Sequence, residues 1–273
     1  MHPILFKIGW FELHSYGLFL ALAFLVGIYT AMKRAKKFGF DPNIIMNLSM
    51  VIIISSLIGA RFLYVILHIE EFRGNYLDII NPVQSSGEFG IAGLTMLGGL
   101  IFALLSTIFY ARIKNLGFLK ATDILSPSVA LGVGITRIGC FLSGCCYGLE
   151  CSLPWGMVFS PESPAGYHFY DKAIHPTQLY SSLGGFIIFF ILIYIGKHKI
   201  YNGIIFYSFL ILYSIDRFII DFFRYYEKEM ILFTISKVNF SVNQGICILL
   251  FLTSVTFITI NYFRNKRYSP DYS

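Results

Sequence analysis

Charge is what this chain of 273 residues has least of: 13% is Asp, Glu, Lys or Arg, against 56% hydrophobic residues. A water-soluble domain carries about 25% charged residues, so this deficit excludes a chain whose surface mostly faces water. No linker-like stretch divides the sequence, and no repeat period or low-complexity tract interrupts it. That organisation points to a single integral membrane domain over residues 1–273. A basic region is missing ahead of the first long apolar run, from Tyr16, which therefore reads as a span and not as a cleavable signal. The net charge of +6 raises nucleic acid as a partner. The basic residues, however, sit in short clusters between apolar runs, as topology signals do, and no nucleic-acid partner is expected. No inverted repeat is visible, which counts against a transporter.

What is present is a series of apolar runs. A spanning helix needs roughly 20 mostly apolar residues, and seven candidates lie at about 15–32, 44–68, 91–111, 124–146, 178–196, 203–222 and 244–262. The predicted fold is an all-α membrane protein of about seven spans. The fourth run holds Ser126, Pro127, Ser128, four glycines and an arginine. Such backbone is tolerated at membrane depth only where protein or a water-filled cavity surrounds it, so this run predicts a central helix, broken or intact. Exits of odd-numbered spans carry Lys33, Arg34, Lys36 and Lys37, then Arg112, Lys114 and Lys120, then Lys197 and Lys199, then Arg264, Lys266 and Arg267. These are 12 of the 21 basic residues; the opposite side has six and most of the acids. Positive loops stay in the cytoplasm, which predicts an outer N-terminus and a cytoplasmic C-terminus. The longer outer loops, roughly 69–90, 147–177 and 223–243, are expected to form a small outer cap.

Arg61, Arg137 and Arg217 fall within or at the edge of spans, with Asp216 and Asp221 beside the last. An arginine at a helix centre costs about 2.5–3.5 kcal/mol to insert, so it is retained to bind something or to pair with something. Arg217 with Asp221 at i,i+4, or Asp216 with Arg61, would be purely structural pairs. A guanidinium in a dry site equally suits a phosphate, gripped by two parallel hydrogen bonds, and in a membrane the abundant phosphate is a phospholipid headgroup.

The segment from Thr136 to Gly148 contains Gly139, Gly144 and Gly148, which permit close approach of a backbone or ligand. It also carries Cys140, Cys145 and Cys146, with Cys151 just beyond. The spacing C-x4-C-C-x4-C matches none of the usual zinc patterns, and no metal or other cofactor is expected. A disulfide of Cys151 with a neighbour, or burial as small apolar residues, remain as readings. His175-Pro176-Thr177-Gln178-Leu179-Tyr180 opens the fifth span, with Pro176 pre-organised for a helix start. Tyr180 there suits an interfacial anchor and His175 a local hydrogen bond or a base. Tyr213 and Arg217 lie four apart on one helix face, where phenol and guanidinium could grip one oxyanion. Tyr16 is a further interfacial tyrosine.

In this order, these segments resemble the prolipoprotein diacylglyceryl transferases, bacterial inner-membrane enzymes. The likeness runs from His14-Ser15-Tyr16-Gly17 through Gly59-Ala60-Arg61 and Gly98-Gly99-Leu100. It continues through Arg137-Ile138-Gly139 to Gly148, His175 to Tyr180 and Tyr213 to Arg224, and ends near Asn243-Gln244-Gly245. The resemblance implies transfer of the diacylglyceryl group of phosphatidylglycerol to the lipobox cysteine of a prolipoprotein signal peptide. A thioether forms and glycerol 1-phosphate leaves. It implies essential roles for Arg137 and Arg217, with Tyr213 beside them, and a substrate site drawn from Tyr16, Arg61, Gly98, Gly99, Gly139, Gly148, His175, Gln178 and Tyr180. The chain departs from the family's pattern at Leu97, commonly His; at Cys140, commonly Asn; and at Cys145, commonly Glu. Ser181 and Asp221 each stand where Glu is common. These departures mark a divergent, cysteine-containing branch and leave the base unassigned among His175, Tyr16 and a nearby arginine. They also motivate two other readings: a relative that binds phospholipid or signal peptide without turnover, and a thiol redox or metal protein built on Cys140–Cys151.

Overall fold

A computed structural model describes residues 4–8, 11–73, 79, 94–198, 201–227, 230–235 and 238–268. Helices form at all seven expected positions: α1 (Ser15–Lys37), α2 (Pro42–Leu67), α3 (Met96–Ile113), α4 (Phe118–Ser143), α6 (Thr177–Ile195), α7 (Ile204–Asp221) and α8 (Val242–Tyr268), with a short α5 (Pro164–His168) between α4 and α6. Six are long and apolar enough to cross a membrane. The exception is α7, whose 18 residues include Asp216, Arg217 and Asp221. Large apolar side chains such as Leu25, Phe109, Phe190 and Leu249 stay exposed on the helices, a surface that water does not tolerate and lipid does. The chain is a multi-pass, all-α membrane protein.

Two antiparallel hairpins, not foreseen in the sequence, precede helices: β1 (Ile4–Ile8) with β2 (Phe11–His14) ahead of α1, and β3 (Ile231–Ile235) with β4 (Val238–Ser241) ahead of α8. Each is only four or five residues per strand, too short for a hydropathy window to resolve. At the start of α8, Ser241 Oγ accepts from the Gln244 N–H while Gln244 Oε1 accepts from the Ser241 N–H. This reciprocal cap satisfies two donors that the helix end would otherwise leave open.

The chain divides into two compact units, residues 32–121 and residues 1–31 with 122–273. In the first, α2 packs on α3 at glycine. A Cβ at Gly98 would collide with the Gly59 carbonyl and Leu63, and one at Gly99 would sit 3.2 Å from the Ser56 carbonyl. In the second, α4 packs against α1 and α6. Gly139 lets α1 approach at Tyr16 and Phe19, and Gly185 of α6 lies against Gly134 and Ala130. At the opposite end of α4, the buried Asp123 carboxylate accepts from the N–H groups of Gly203 and Phe206, at 2.7 and 2.9 Å, and so caps α7.

Of the two forms left open for this run, broken or intact, α4 takes the intact one. Pro127 lies inside a continuous helix and is fully buried, where neighbouring helices shield the backbone group it frees. The helix also begins earlier than hydropathy places it, because Lys120 and Asp123 depress the local average. It ends at Ser143 because Gly144 turns left-handed at φ +71°.

Candidate functional site

Beyond α4 the chain folds into a cap on this unit. Phe159, Ala165 and Ile174 form its core, with Phe141, Tyr147, Met157 and Phe169 against it. Burying Phe159 and Ile174 supplies roughly 1.5–3 kcal/mol each. Residues 147–177 and 223–227 meet here as the sequence suggested, while most of loop 69–90 lies outside the described residues. Gly148 is the crossing point. Its N–H donates to the His175 carbonyl at 3.2 Å, Leu149 N–H donates to the Phe223 carbonyl at 2.8 Å, and Gly148 pairs as a bridge with Arg224. A Cβ at Gly148 would sit 2.5 Å from the His175 carbonyl oxygen and 2.6 Å from that of Phe223. Both are backbone atoms with nowhere to go, so Gly148→Ala is expected to destabilise the protein by about 1–3 kcal/mol. Denaturant unfolding in detergent measures this, and an unchanged midpoint would refute the crossing.

The two cysteines before that crossing are held by the start of α6. Thr177 Oγ1 donates to the Cys146 carbonyl at 3.0 Å and Gln178 Nε2 to the Cys145 carbonyl at 2.8 Å. Cys145 N–H donates back to the Cys140 carbonyl at 3.2 Å. These bonds hold Cys146 in a left-handed conformation, φ +60°, which a non-glycine residue adopts only where its surroundings impose it. As a result the sulfurs of Cys140, Cys145 and Cys146 lie within 4.8 Å of one another. Arg224 and Arg137 lie close enough to act electrostatically on Cys146. Of the two readings left open for Cys151, burial holds and the disulfide does not: all five cysteines are free, and Cys151 is buried outside the trio, its N–H bonded to the Ala173 carbonyl.

Arg137 stands beside this trio on α4, its Nη1 4.0 Å from Cys140 Sγ. It interacts electrostatically with Tyr213, Tyr16 and Asp216. Asp216 in turn feels Arg217, and its carboxylate packs where a side chain on Gly184 of α6 would stand. Arg217 is 12% exposed and pairs with Asp221, 0% exposed, at 3.1 Å. Its Nη2 also donates to Tyr226 Oη. Tyr226 donates to Asp221 Oδ1 at 2.8 Å and accepts from Asn243 at 3.1 Å, and Ser241 Oγ donates to Asp221 Oδ2 at 2.7 Å. Burial pushes the Tyr226 phenol up to about 12, so it keeps the proton it gives to Asp221. The i,i+4 pair foreseen in the sequence thus forms, yet it does not satisfy the arginine. Arg217 Nη1 is buried with no hydrogen-bond partner among the described residues, and so are Arg224 Nε and the acceptor Gln178 Oε1.

His175 lies at the rim. Tyr180 Oη accepts from Trp155 Nε1 at 2.9 Å and sits 3.2 Å from His175 Nδ1. Burial lowers the His175 pKa, which favours the neutral ring, and its Nδ1 shares a hydrogen bond with the Tyr180 hydroxyl. An apolar groove of about 530 Å³ opens beside them, lined by Trp155, Met157, Pro176, Leu179 and Tyr180 among others. It contains no arginine, so the buried charges mark their site independently of it.

Of the residues singled out in the sequence, Tyr16, Arg137, Gly139, Gly148, His175, Gln178, Tyr180, Tyr213 and Arg217 fall in one compact unit. Arg61, Gly98 and Gly99 fall in the other, where the glycines are filled by α2 and Arg61 Nε donates to the Ile79 carbonyl at 3.0 Å, with the rings of Tyr64 and Phe72 beneath its guanidinium. Arg224, Tyr226 and Asn243 were not assigned to the site by the sequence. They lie outside every apolar run, where a charge or phenol carries no insertion penalty; Arg224 and Asn243 stand in segments that carry the family resemblance, which was the signal available for them.

These features define a multi-pass membrane protein with incompletely paired guanidinium groups gathered at one end of a helical bundle. A sequence model of the prolipoprotein diacylglyceryl transferases matches residues 3–260. Proteins named phosphatidylglycerol–prolipoprotein diacylglyceryl transferase are similar along most of their length. That of Clostridium tetani is 35% identical over 226 residues, 82% of this chain and 86% of its own. That of Fusobacterium nucleatum is 31% identical over 294 residues, 94% and 97%, and one from Prochlorococcus marinus is 34% identical over 239, 81% and 78%. The chain belongs to the prolipoprotein diacylglyceryl transferase family.

Proposed function

We propose that this protein transfers the diacylglyceryl group of phosphatidylglycerol to the lipobox cysteine of prolipoproteins. It does so as a single domain in the bacterial inner membrane, with its N-terminus outside and its C-terminus in the cytoplasm. The observation that carries the reading is the unpartnered Nη1 of Arg217, buried beside its carboxylate. A buried charged donor left open costs more than it returns unless something fills it. A phosphate fills it, and Arg224 Nε offers a second open donor. Gln178 Oε1, an open acceptor, suits a hydroxyl of the headgroup glycerol.

The acceptor sulfur attacks the diacylglyceryl carbon that bears the phosphate ester. The C–S bond forms as the C–O bond breaks, and glycerol 1-phosphate departs with the electron pair. Negative charge grows on the phosphate during this step, and guanidinium donors already in place stabilise it without reorganising. Tyr213, four residues from Arg217 and in electrostatic contact with Arg137, adds a phenol to the same grip. Leu97 offers no base, and His175 Nδ1 is already engaged by Tyr180. The assay is the purified protein with phosphatidylglycerol and a lipobox peptide, followed by mass. A thioether-linked diacylglyceryl gain on the cysteine peptide, absent on its serine counterpart, is expected. No gain with phosphatidylglycerol supplied would end this reading.

A further inference from the structure

A substrate thiol must reach the thiolate form to attack. Beside the arginines stand the carboxylate of Asp216, in electrostatic contact with Arg137 and Arg217, and three thiols gathered together. We propose that Cys140, Cys145 and Cys146 form a three-thiolate site for a thiophilic d10 cation, of the Zn(II) or Cd(II) type. Its fourth position is open to the acceptor cysteine. This rests on the transferase reading for its chemistry and stands apart from it as a binding site.

The geometry meets the requirements one by one. Sulfurs about 2.3 Å from a tetrahedral zinc stand roughly 3.8 Å from one another, and these three lie within 4.8 Å before any ion draws them in. Their backbone is pinned from α6 through Thr177 and Gln178 and from α4 through the Cys140 carbonyl. The strained φ of Cys146 is part of that placement. Three thiolates and a divalent ion carry a net negative charge. Arg137, with Nη1 4.0 Å from Cys140 Sγ, and Arg224, in electrostatic contact with Cys146, offset it. Linear spacing concealed the site because it offers Cys151 as the fourth ligand, and the fold places Cys151 elsewhere.

A site with three protein ligands and an open position is the catalytic form of such a centre, and a thiol that coordinates it is deprotonated. The acceptor's proton leaves as its sulfur binds. That sulfur then forms the C–S bond, the C–O electrons go to the phosphate oxygen, and the departing phosphate takes up a proton. The cation keeps its charge throughout and no oxidant or reductant is consumed.

The test uses the full-length protein, reduced and in detergent, titrated with Cd(II) and read by its thiolate charge-transfer absorbance, with Zn(II) as competitor. One ion per chain is expected. Cys145→Ser and Cys146→Ser should each weaken binding at least about a hundredfold, whereas Cys151→Ser and Cys247→Ser should leave it unchanged. Adding a lipobox cysteine peptide should raise the band by about a third, from three thiolates to four, and a serine peptide should not. Wild-type protein supplies a check that needs no variant: Zn(II) should protect Cys145 and Cys146 from alkylation and leave Cys151 as it was. No stoichiometric band, or no protection, overturns the site. Binding that ignores the cysteine peptide overturns its role in activation. Binding that responds to the peptide in a protein without transferase activity would remove the transferase reading and keep the site.

Discussion

Arg217→Ala is expected to lower diacylglyceryl transfer by about 10²–10³-fold, the loss typical when one preorganised donor to a developing oxyanion is removed. Arg137→Ala is expected to do the same. Arg217→Lys should recover little, because an ammonium keeps the charge but not the planar fork that meets two oxygens together. The informative variant is the double one. If both guanidinium groups hold one phosphate, removing the second after the first costs far less than it does alone, since groups that act as a unit are strongly non-additive. Initial rates with phosphatidylglycerol and lipobox peptide measure this. Multiplicative losses would mean that the two arginines serve separate purposes, and a loss of only a few-fold at Arg217 would remove it from the reaction.

Asp221→Ala is expected to have the largest effect on stability, about 3–5 kcal/mol, the usual result of removing one partner from a buried ion pair. The side chain is 0% exposed and receives Arg217, Tyr226 and Ser241 at once. Alanine leaves a buried cation and two hydroxyls without their acceptor. Asp221→Asn keeps one carbonyl oxygen and should cost distinctly less. Tyr226→Phe removes only the junction between Arg217, Asp221 and Asn243 and should fall nearer the 1 kcal/mol of a single hydrogen bond. Denaturant titration of the purified protein orders the three. If Asp221→Ala unfolds within about 0.5 kcal/mol of the parent, the scatter of a neutral surface change, the network does not hold α7 to α8 as described.

These two expectations divide the labour of one helix. Arg217 needs Asp221 to be held in place and needs something beyond Asp221 to be satisfied. A pair serving structure alone would leave neither nitrogen open, and the cost of burying Arg217 would then bring no chemistry. The fold also explains why the charges cluster at the ends of α4 and α7. Both helices finish against the cap built from residues 147–149, 174–176 and 223–225, where three loop segments meet at Gly148.

The helices were legible in the sequence because hydropathy is a local sum: each run is apolar enough by itself to commit its stretch of chain, whatever the rest does. The intramembrane arginines were legible for the related reason that a charge in an apolar run stands out against its neighbours. What tertiary structure alone decided has no such local trace. The hairpins are too short for a window. Arg224 and Tyr226 look ordinary outside a span, and only packing reveals that Gly98 and Gly99 seat α3 against α2. The i,i+4 spacing of Arg217 and Asp221 foretold their pairing, but only coordinates could reveal that one nitrogen is left over. The cysteines are the sharpest case. Spacing along the chain counts four and fits no metal, whereas the turn after Ser143 and the hydrogen bonds from α6 gather three and exclude the fourth. Proximity in space is a product of packing, and packing is not additive along a sequence.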